Sequence, residues 1–310
     1  MIFSSLDDIG NDRVCKALTG LTKDQFKHLL LFFESTYRDQ YGGPSLDAPS
    51  PAFPGYLSSF GHRLFFVLYY LKNYPSYDVL GYLFGFSGGH AFDHLETLLP
   101  ILQASLAHLK TLPERSVKTV EALDRLLEKQ PTIIIDGTER ATLRPQDKSQ
   151  QEQRYSGKKK HHGVNNLVIA NPAKKILFLS STVPGSVHDY ALFKTEFPPA
   201  LPWFQKQLIE VDLGFQGIKN DYPHARAIQI PHKKPKKSKA NPDPKLTPTQ
   251  KKHNRKLAKT RVAVEHAIGG MKCLHSLVHR SRNHLAHLLD TFIYIGAGLW
   301  NFKLSLKTIG

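Results

Sequence analysis

The spacing of apolar positions changes near residue 130. Before it, helical periodicity dominates: Leu21, Phe26, Leu29, Leu30 and Phe33 fall on one face of a helix predicted after Thr22, and Leu64 to Leu71 is a strongly apolar helix. A third helix is predicted over Ser76 to Phe84. The breaker Phe86-Ser87-Gly88-Gly89 follows, with Ser87 placed to cap a helix that contains Phe92, Leu95 and Leu98 and runs up to Pro100. Helix, tight glycine-containing turn and second helix outline a helix-turn-helix, which makes His90 to His94 candidates for reading DNA. Between Arg38 and Gly61 the chain is rich in Pro, Gly and Ser and reads as a surface loop. A further helix over Ser116 to Lys129 leads into the second part.

From 131 to about 230 the pattern is strand-like. Thr132 to Ile135, Val164 to Ala170, Ile176 to Ser181, Leu208 to Val211 and Ala227 to Ile230 are short apolar runs, mostly bounded by Gly, Pro, Asn or Asp. A helix over Val187 to Lys194 fits between the third and fourth strands, and Leu257 to Leu304 reads as long helices. Strands followed by closing helices make an α/β layer architecture.

Composition narrows the partners. Lys plus Arg number 42 against 26 Asp plus Glu, a formal charge of +16, the footprint of a polyanion binder. The charge is uneven: between residues 232 and 261 there are twelve Lys or Arg against the single acid Asp243, and Lys158-Lys159-Lys160-His161-His162 adds a second cluster. With only Cys15 and Cys273, neither a disulfide framework nor a cysteine-rich zinc site is expected. The start, Met1 to Ser5, lacks the features of a signal peptide, and no apolar run is long enough to span a membrane. A cytoplasmic protein with access to the chromosome and no membrane partner is therefore the expectation.

Three acids stand in separate, recognisable surroundings: Asp136 ends Thr132 to Ile135, Asp212 ends Leu208 to Val211, and Glu265 lies within Arg261-Val262-Ala263-Val264-Glu265-His266. Carboxylates at two strand ends and on one helix suit a hard divalent cation, which takes oxygen ligands and shares them with substrate phosphate. A pair of such ions serves in-line displacement at phosphorus in nucleases and polymerases.

The segments Ile135-Asp136-Gly137-Thr138-Glu139-Arg140, Tyr155 to His162, Gly185-Ser186-Val187-His188-Asp189, Val211-Asp212-Leu213-Gly214-Phe215-Gln216-Gly217 and Arg261 to Glu265 resemble, in order, the motifs of DDE transposases. More narrowly, they are similar to the bacterial insertion-sequence branch related to Harbinger elements. The resemblance covers roughly residues 130 to 300. It implies an RNase H-like mixed sheet flanked by helices, preceded by a small all-α, helix-turn-helix-like domain, with boundaries at 1–115 and 116–310 and a basic insertion at about 231–259. It also implies Asp136, Asp212 and Glu265 as catalytic residues and as ligands of two Mg2+ (or Mn2+) ions, double-stranded DNA as partner, and a homodimer on DNA. The insertion puts 52 residues between Asp212 and Glu265.

Expected DNA contacts are Arg140, Lys158, Lys159, Lys160, Lys233, Lys234, Lys236, Lys237, Arg261 and Lys272. Arg261 has a second reading as a helix ion pair with Glu265, four residues on. His188 and Asp189 are auxiliary: neighbours of the metal site, or a polar pair capping the helix after Ser186. Trp203 and Trp300 read as core or interface. Two other functions remain in play, a transposase-derived DNA-binding regulator without cleavage and a metal-dependent nuclease without strand transfer.

Overall fold

A computed structural model describes residues 9–41, 57–239, 242–283 and 285–307. Most of the predicted surface loop and the start at Met1 to Ser5 lie outside them. In chain order the elements are α1 (Asp12–Thr19), α2 (Lys23–Tyr41), α3 (Phe60–Asn73), α4 (Tyr77–Phe84), α5 (Gly88–His108), α6 (Val120–Leu126), β1 (Thr132–Ala141), α7 (Lys148–Arg154), β2 (Tyr155–Ser156), β3 (His161–Ala170), β4 (Ile176–Leu179), β5 (Val183–Pro184), α8 (Asp189–Glu196), β6 (Leu208–Glu210), α9 (Ile218–Asp221), β7 (Ala227–Gln229), α10 (Pro248–Met271), α11 (His275–Val278) and α12 (Ala286–Lys307). They form two compact units, 1–112 with 271–310, and 113–270. Residues 271–310, grouped on sequence with the catalytic part, thus pack with the N-terminal helices. Asn301 donates to the Thr111 carbonyl at 2.9 Å and Lys72 to the Cys273 carbonyl at 2.8 Å.

Within the helical unit, local chemistry sets the starts. Thr22 and Gln25 cap α2 reciprocally, each backbone N–H donating to the other's side-chain oxygen at 3.0 and 3.1 Å. Ser87 caps α5 by accepting from His90 N–H at 3.2 Å, as the breaker predicts. The turn between α4 and α5 depends on glycine: a Cβ at Gly81 would stand 2.4 Å from the Phe86 carbonyl oxygen, and Gly85 ends α4 at φ 88°. The predicted stop at Pro100 is not observed. Leu95, Leu98, Leu99, Leu102 and Leu106 are all buried at helical spacing while Pro100 is exposed, so packing carries α5 through to His108.

The second unit is built on a mixed sheet with β1 at its centre. On one side β1 pairs antiparallel with β3 over Ile134↔Ala170 to Ala141↔Gly163; on the other it pairs parallel with β6, which pairs parallel with β7. The outer edge of β3 takes β2, β4 and β5. Ile133, Ile135, Leu167, Ile169 and Ile209 from the strands bury against Phe193, Phe197, Trp203, Phe204 and Phe215, the aliphatic-on-aromatic core that the strand runs imply. This is the expected RNase H-like sheet with flanking helices. Four elements differ from expectation. β1, expected to end at Ile135, runs on to Ala141 because its second half pairs with β3 down to Gly163. The helix before β1 is only Val120–Leu126, α7 adds a helix between β1 and β2, and α10 begins well inside the basic insertion. There Thr247 and Gln250 form a second reciprocal cap, at 2.9 and 3.2 Å, with Pro248 as first helical residue.

Candidate active site

The parallel register of β1 and β6 sets Thr132, Ile133 and Ile134 opposite Leu208, Ile209 and Glu210. Two residues beyond the last pair stand Asp136 and Asp212. β6 ends at Glu210 and Asp212 stands just past it, whereas β1 runs on to Ala141, so Asp136, expected at a strand end, sits in mid-strand opposite Val168 of β3. The shared register still sets the two acids at matching positions, and residues two apart on a strand share a face. Each is steadied locally: Asp136 Oδ1 accepts from Gly137 N–H at 2.8 Å, and Asp212 Oδ1 from Gly214 N–H at 2.7 Å, capping the 3-10 turn Leu213–Phe215.

Burial pushes the Asp136 carboxyl up to about 6; the Arg261 guanidinium pulls it down, Asp212 pushes it up, the Gly137 N–H lowers it and Asp189 raises it again. Arg261 Nη2 lies 3.3 Å from Asp136 Oδ2, with side chains only 15% and 19% exposed. The ion pair reaches across the fold rather than along the helix, so the reading of Arg261 as a local partner of Glu265 is corrected. Its Nε is buried and, among the described residues, has no hydrogen-bond partner. Glu265 is exposed on α10, four residues beyond Arg261 and therefore on the same helical side.

Asp189 is more closely engaged than a helix cap. His188 occupies the cap position of α8 and makes no side-chain cap bond. Asp189 Oδ1 instead accepts from Asn165 Nδ2 at 2.7 Å, and the carboxylate rests on the Gly137 backbone so closely that a Cβ there would meet Asp189 Oδ1 at 2.0 Å. The expected capping pair is therefore replaced by a contact between α8 and the strand carrying Asp136. Sequence reasoning passed over Asn165. Its signal was the polar pair Asn165-Asn166 inside a buried strand, where side-chain amides need partners.

The expected DNA contacts divide. Lys158, Lys159 and Lys160 form the exposed turn between β2 and β3, with Lys159 N–H donating to Ser156 Oγ at 3.3 Å. Lys233, Lys234, Lys236 and Lys237 are exposed. Arg140 is not: it is 5% exposed and its Nη2 donates to Asn166 Oδ1 at 2.9 Å and Thr182 Oγ1 at 3.1 Å, tying β1 to β3 rather than meeting phosphate. Lys272 is partly exposed and belongs to the helical unit, not to the unit of the acids. His94 of the turn region packs edge-on against Phe86 at 4.8 Å, and burial pushes its ring down to about 4, so it is a neutral packing residue. His90 is exposed. Trp203 is core, its Nε1 donating to the Pro198 carbonyl at 2.8 Å.

Among the described residues, no three Asp, Glu, His or Cys side chains converge closely enough to hold an ion between them. Nor is any described helix long and apolar enough to cross a membrane.

The family described as DDE superfamily endonuclease matches residues 135–301, and the helix-turn-helix of DDE superfamily endonuclease matches residues 57–108. The second match spans α3 to α5, where the turn stands; the first opens one residue before Asp136 and closes in α12. A probable transposase for insertion sequence element IS702 from Microchaete diplosiphon is 28% identical over 247 residues, covering 79% of this chain and 81% of that protein. No solved structure matches significantly.

Proposed function

The chain belongs to the DDE superfamily of endonucleases, and from that premise we propose that it acts as a DNA transposase, cutting at transposon ends and joining the freed 3′ hydroxyl to target DNA. The observation that supports the reading is the parallel register of β1 and β6, by which Asp136 and Asp212 each stand two residues beyond the last pair, together with the ion pair that Arg261 of α10, four residues before Glu265, makes with Asp136.

The residues fit a hard divalent cation. All the donors are carboxylates, and Asp136 lies desolvated near two further acids with Arg261 as its counter-charge, an arrangement short of positive charge. Asp136, Asp212 and Glu265 would hold Mg2+ or Mn2+, as two ions. Bound there, the ions would stabilise the attacking and leaving oxygens of an in-line displacement at phosphorus. Asp189, held by Asn165 against Gly137, fixes the backbone beside Asp136 and adds negative charge. The exposed lysines of the β2–β3 turn and of the 233–237 segment neutralise DNA phosphates. The helix-turn-helix supplies recognition of the end sequence, and two protomers pair the two ends.

Incubating the protein with a labelled transposon-end duplex, a target plasmid and Mg2+ tests this. Strand-transfer product is the expected result. Cleavage without joining would reduce the protein to a nuclease, and binding without cleavage to a regulator.

A further inference from the structure

The two family matches leave open which surface holds the duplex, and the charges are distributed against the simple answer. Residues 1–112 contain eight Lys and Arg against ten Asp and Glu, and 271–310 of the same unit five against one, whereas 113–270 contain 29 against 15. In the helix-turn-helix match the cations are Arg63 and Lys72, against Asp78, Asp93 and Glu96. Both are engaged inside their own unit. Arg63 is 6% exposed, donates to the Leu57 carbonyl at 3.0 Å and lies over the Tyr37 ring at 4.6 Å; Lys72 donates to the Cys273 carbonyl. A module that binds DNA tightly needs Lys or Arg on phosphates, and this one presents neither.

The opposite holds on α10. Lys251, Lys252, Arg255, Lys256 and Lys259 are all exposed, and between residues 248 and 262 only Leu257 is buried. No acid stands between Asp243 and Glu265 to pair with them. Lys251/Arg255, Lys252/Lys256 and Arg255/Lys259 are like charges at i,i+4, each of which destabilises a helix. With a reciprocal cap at its start and one buried side chain along this half, the helix has little else to hold it. Lys252, Arg255, Lys256 and Lys259 form one stripe about 10 Å long at 1.5 Å per residue. The neighbouring basic segment is tied to the same helix: Asn254 exchanges hydrogen bonds of 2.8 and 3.0 Å with the His232 backbone, and the His232 and His253 rings meet at 4.8 Å. A dense row of cations with no acid near it in sequence, on a helix half that buries one side chain, fits a polyanion with closely spaced charges.

We propose that the exposed half of α10, from Lys251 to Lys259, is the surface that anchors duplex DNA, while the helix-turn-helix discriminates sequence without supplying the electrostatic hold. The proposal rests on the transposase reading for its partner. The probe is a random-sequence duplex, and the measurement is the salt dependence of binding by the full chain. Replacing the five cations by Gln lowers the log-log slope by about 0.9 for each phosphate no longer neutralised, up to about 4 to 5 in all; Lys252→Gln with Lys256→Gln, a milder variant, lowers it by about 2. Lys72→Gln leaves the slope unchanged. Adding duplex raises the helical circular dichroism of the wild type and not of the five-Gln variant, whose helix no longer repels itself. A folded five-Gln variant with the wild-type slope, or a larger effect from Lys72→Gln, overturns the proposal. A slope reduced as expected in a protein that never cuts transposon-end DNA keeps the anchoring surface and removes the transposase reading.

Discussion

The two units solve different problems with similar cores. Both bury aromatic side chains in quantity: Phe26, Phe33, Phe65, Phe66 and Phe292 in the helical unit, Phe193, Phe197, Trp203, Phe204 and Phe215 in the sheet unit. Their surfaces diverge. The sheet unit carries nearly all the excess positive charge and also the acids, whereas the helical unit is close to neutral, with 13 Lys and Arg against 11 Asp and Glu. Hydrophobic burial is common to both units, and charge is what sets them apart. A site that gathers carboxylates around phosphate chemistry needs cations near it to tolerate DNA at all. A helix-turn-helix can leave that to its partner unit if it reads base edges only.

The comparison is broken most directly at the acids. Asp136→Asn or Asp212→Asn lowers cleavage by about three orders of magnitude, several kcal/mol of transition-state stabilisation at about 1.36 kcal/mol per tenfold, and leaves discrimination between end and random duplex intact. Failure to discriminate in these variants would mean that the units do not divide the work.

The next largest effect is on stability in metal-free buffer. Asp136 has a folded-state value of about 6 against its ordinary 3.8, so the folded protein holds a proton that the unfolded chain has given up. The stabilisation from that proton is full below 3.8 and is lost as pH rises through 6. From about pH 7.5 down to about 4, wild type therefore gains up to about 3 kcal/mol relative to Asp136→Asn. Denaturant titrations of both proteins in EDTA check this; parallel pH profiles would refute the buried-acid description.

In the helical unit, Gly81→Ala pushes a Cβ onto the Phe86 carbonyl and costs about 1 to 3 kcal/mol. End-sequence discrimination weakens while nonspecific, salt-sensitive binding persists. Equal weakening of both would place the duplex hold on the turn after all.

The smallest effect sharpens the picture of the acid cluster. Arg261→Gln removes the guanidinium from Asp136 and raises Mn2+ affinity about tenfold, the equivalent of one charged hydrogen bond of about 1.5 kcal/mol, as titration calorimetry would show. Unchanged or weaker Mn2+ binding would mean that Arg261 supports the ligand set rather than opposing it.

Much of this was legible in the chain. Short apolar runs marked the five main strands because a sheet buried in a core needs continuous apolar segments, and Asp136 and Asp212 were conspicuous as acids ending such runs. Ser87 with Gly88 marked the turn through equally local chemistry, a cap beside a breaker. The extent of α10 was also written in Thr247-Pro248-Thr249-Gln250, a capping signature overlooked among the lysines. Arg140 misled because a charged residue after a motif looks solvent-facing, and only the pairing of β1 with β3 shows it bonded to Asn166 and Thr182.

By itself, then, the sequence determined the elements, their caps, the basic surplus and the acids fit for phosphate chemistry, because periodicity, capping and charge are properties of neighbouring residues. Tertiary structure alone decided what meets across the chain. It put Arg261 on Asp136 rather than on its helix neighbour Glu265, Asp189 on Gly137 through Asn165, and residues 271–310 with the N-terminal helices. Each is a contact between segments far apart in sequence, fixed by strand register and close packing, to which local patterns are blind.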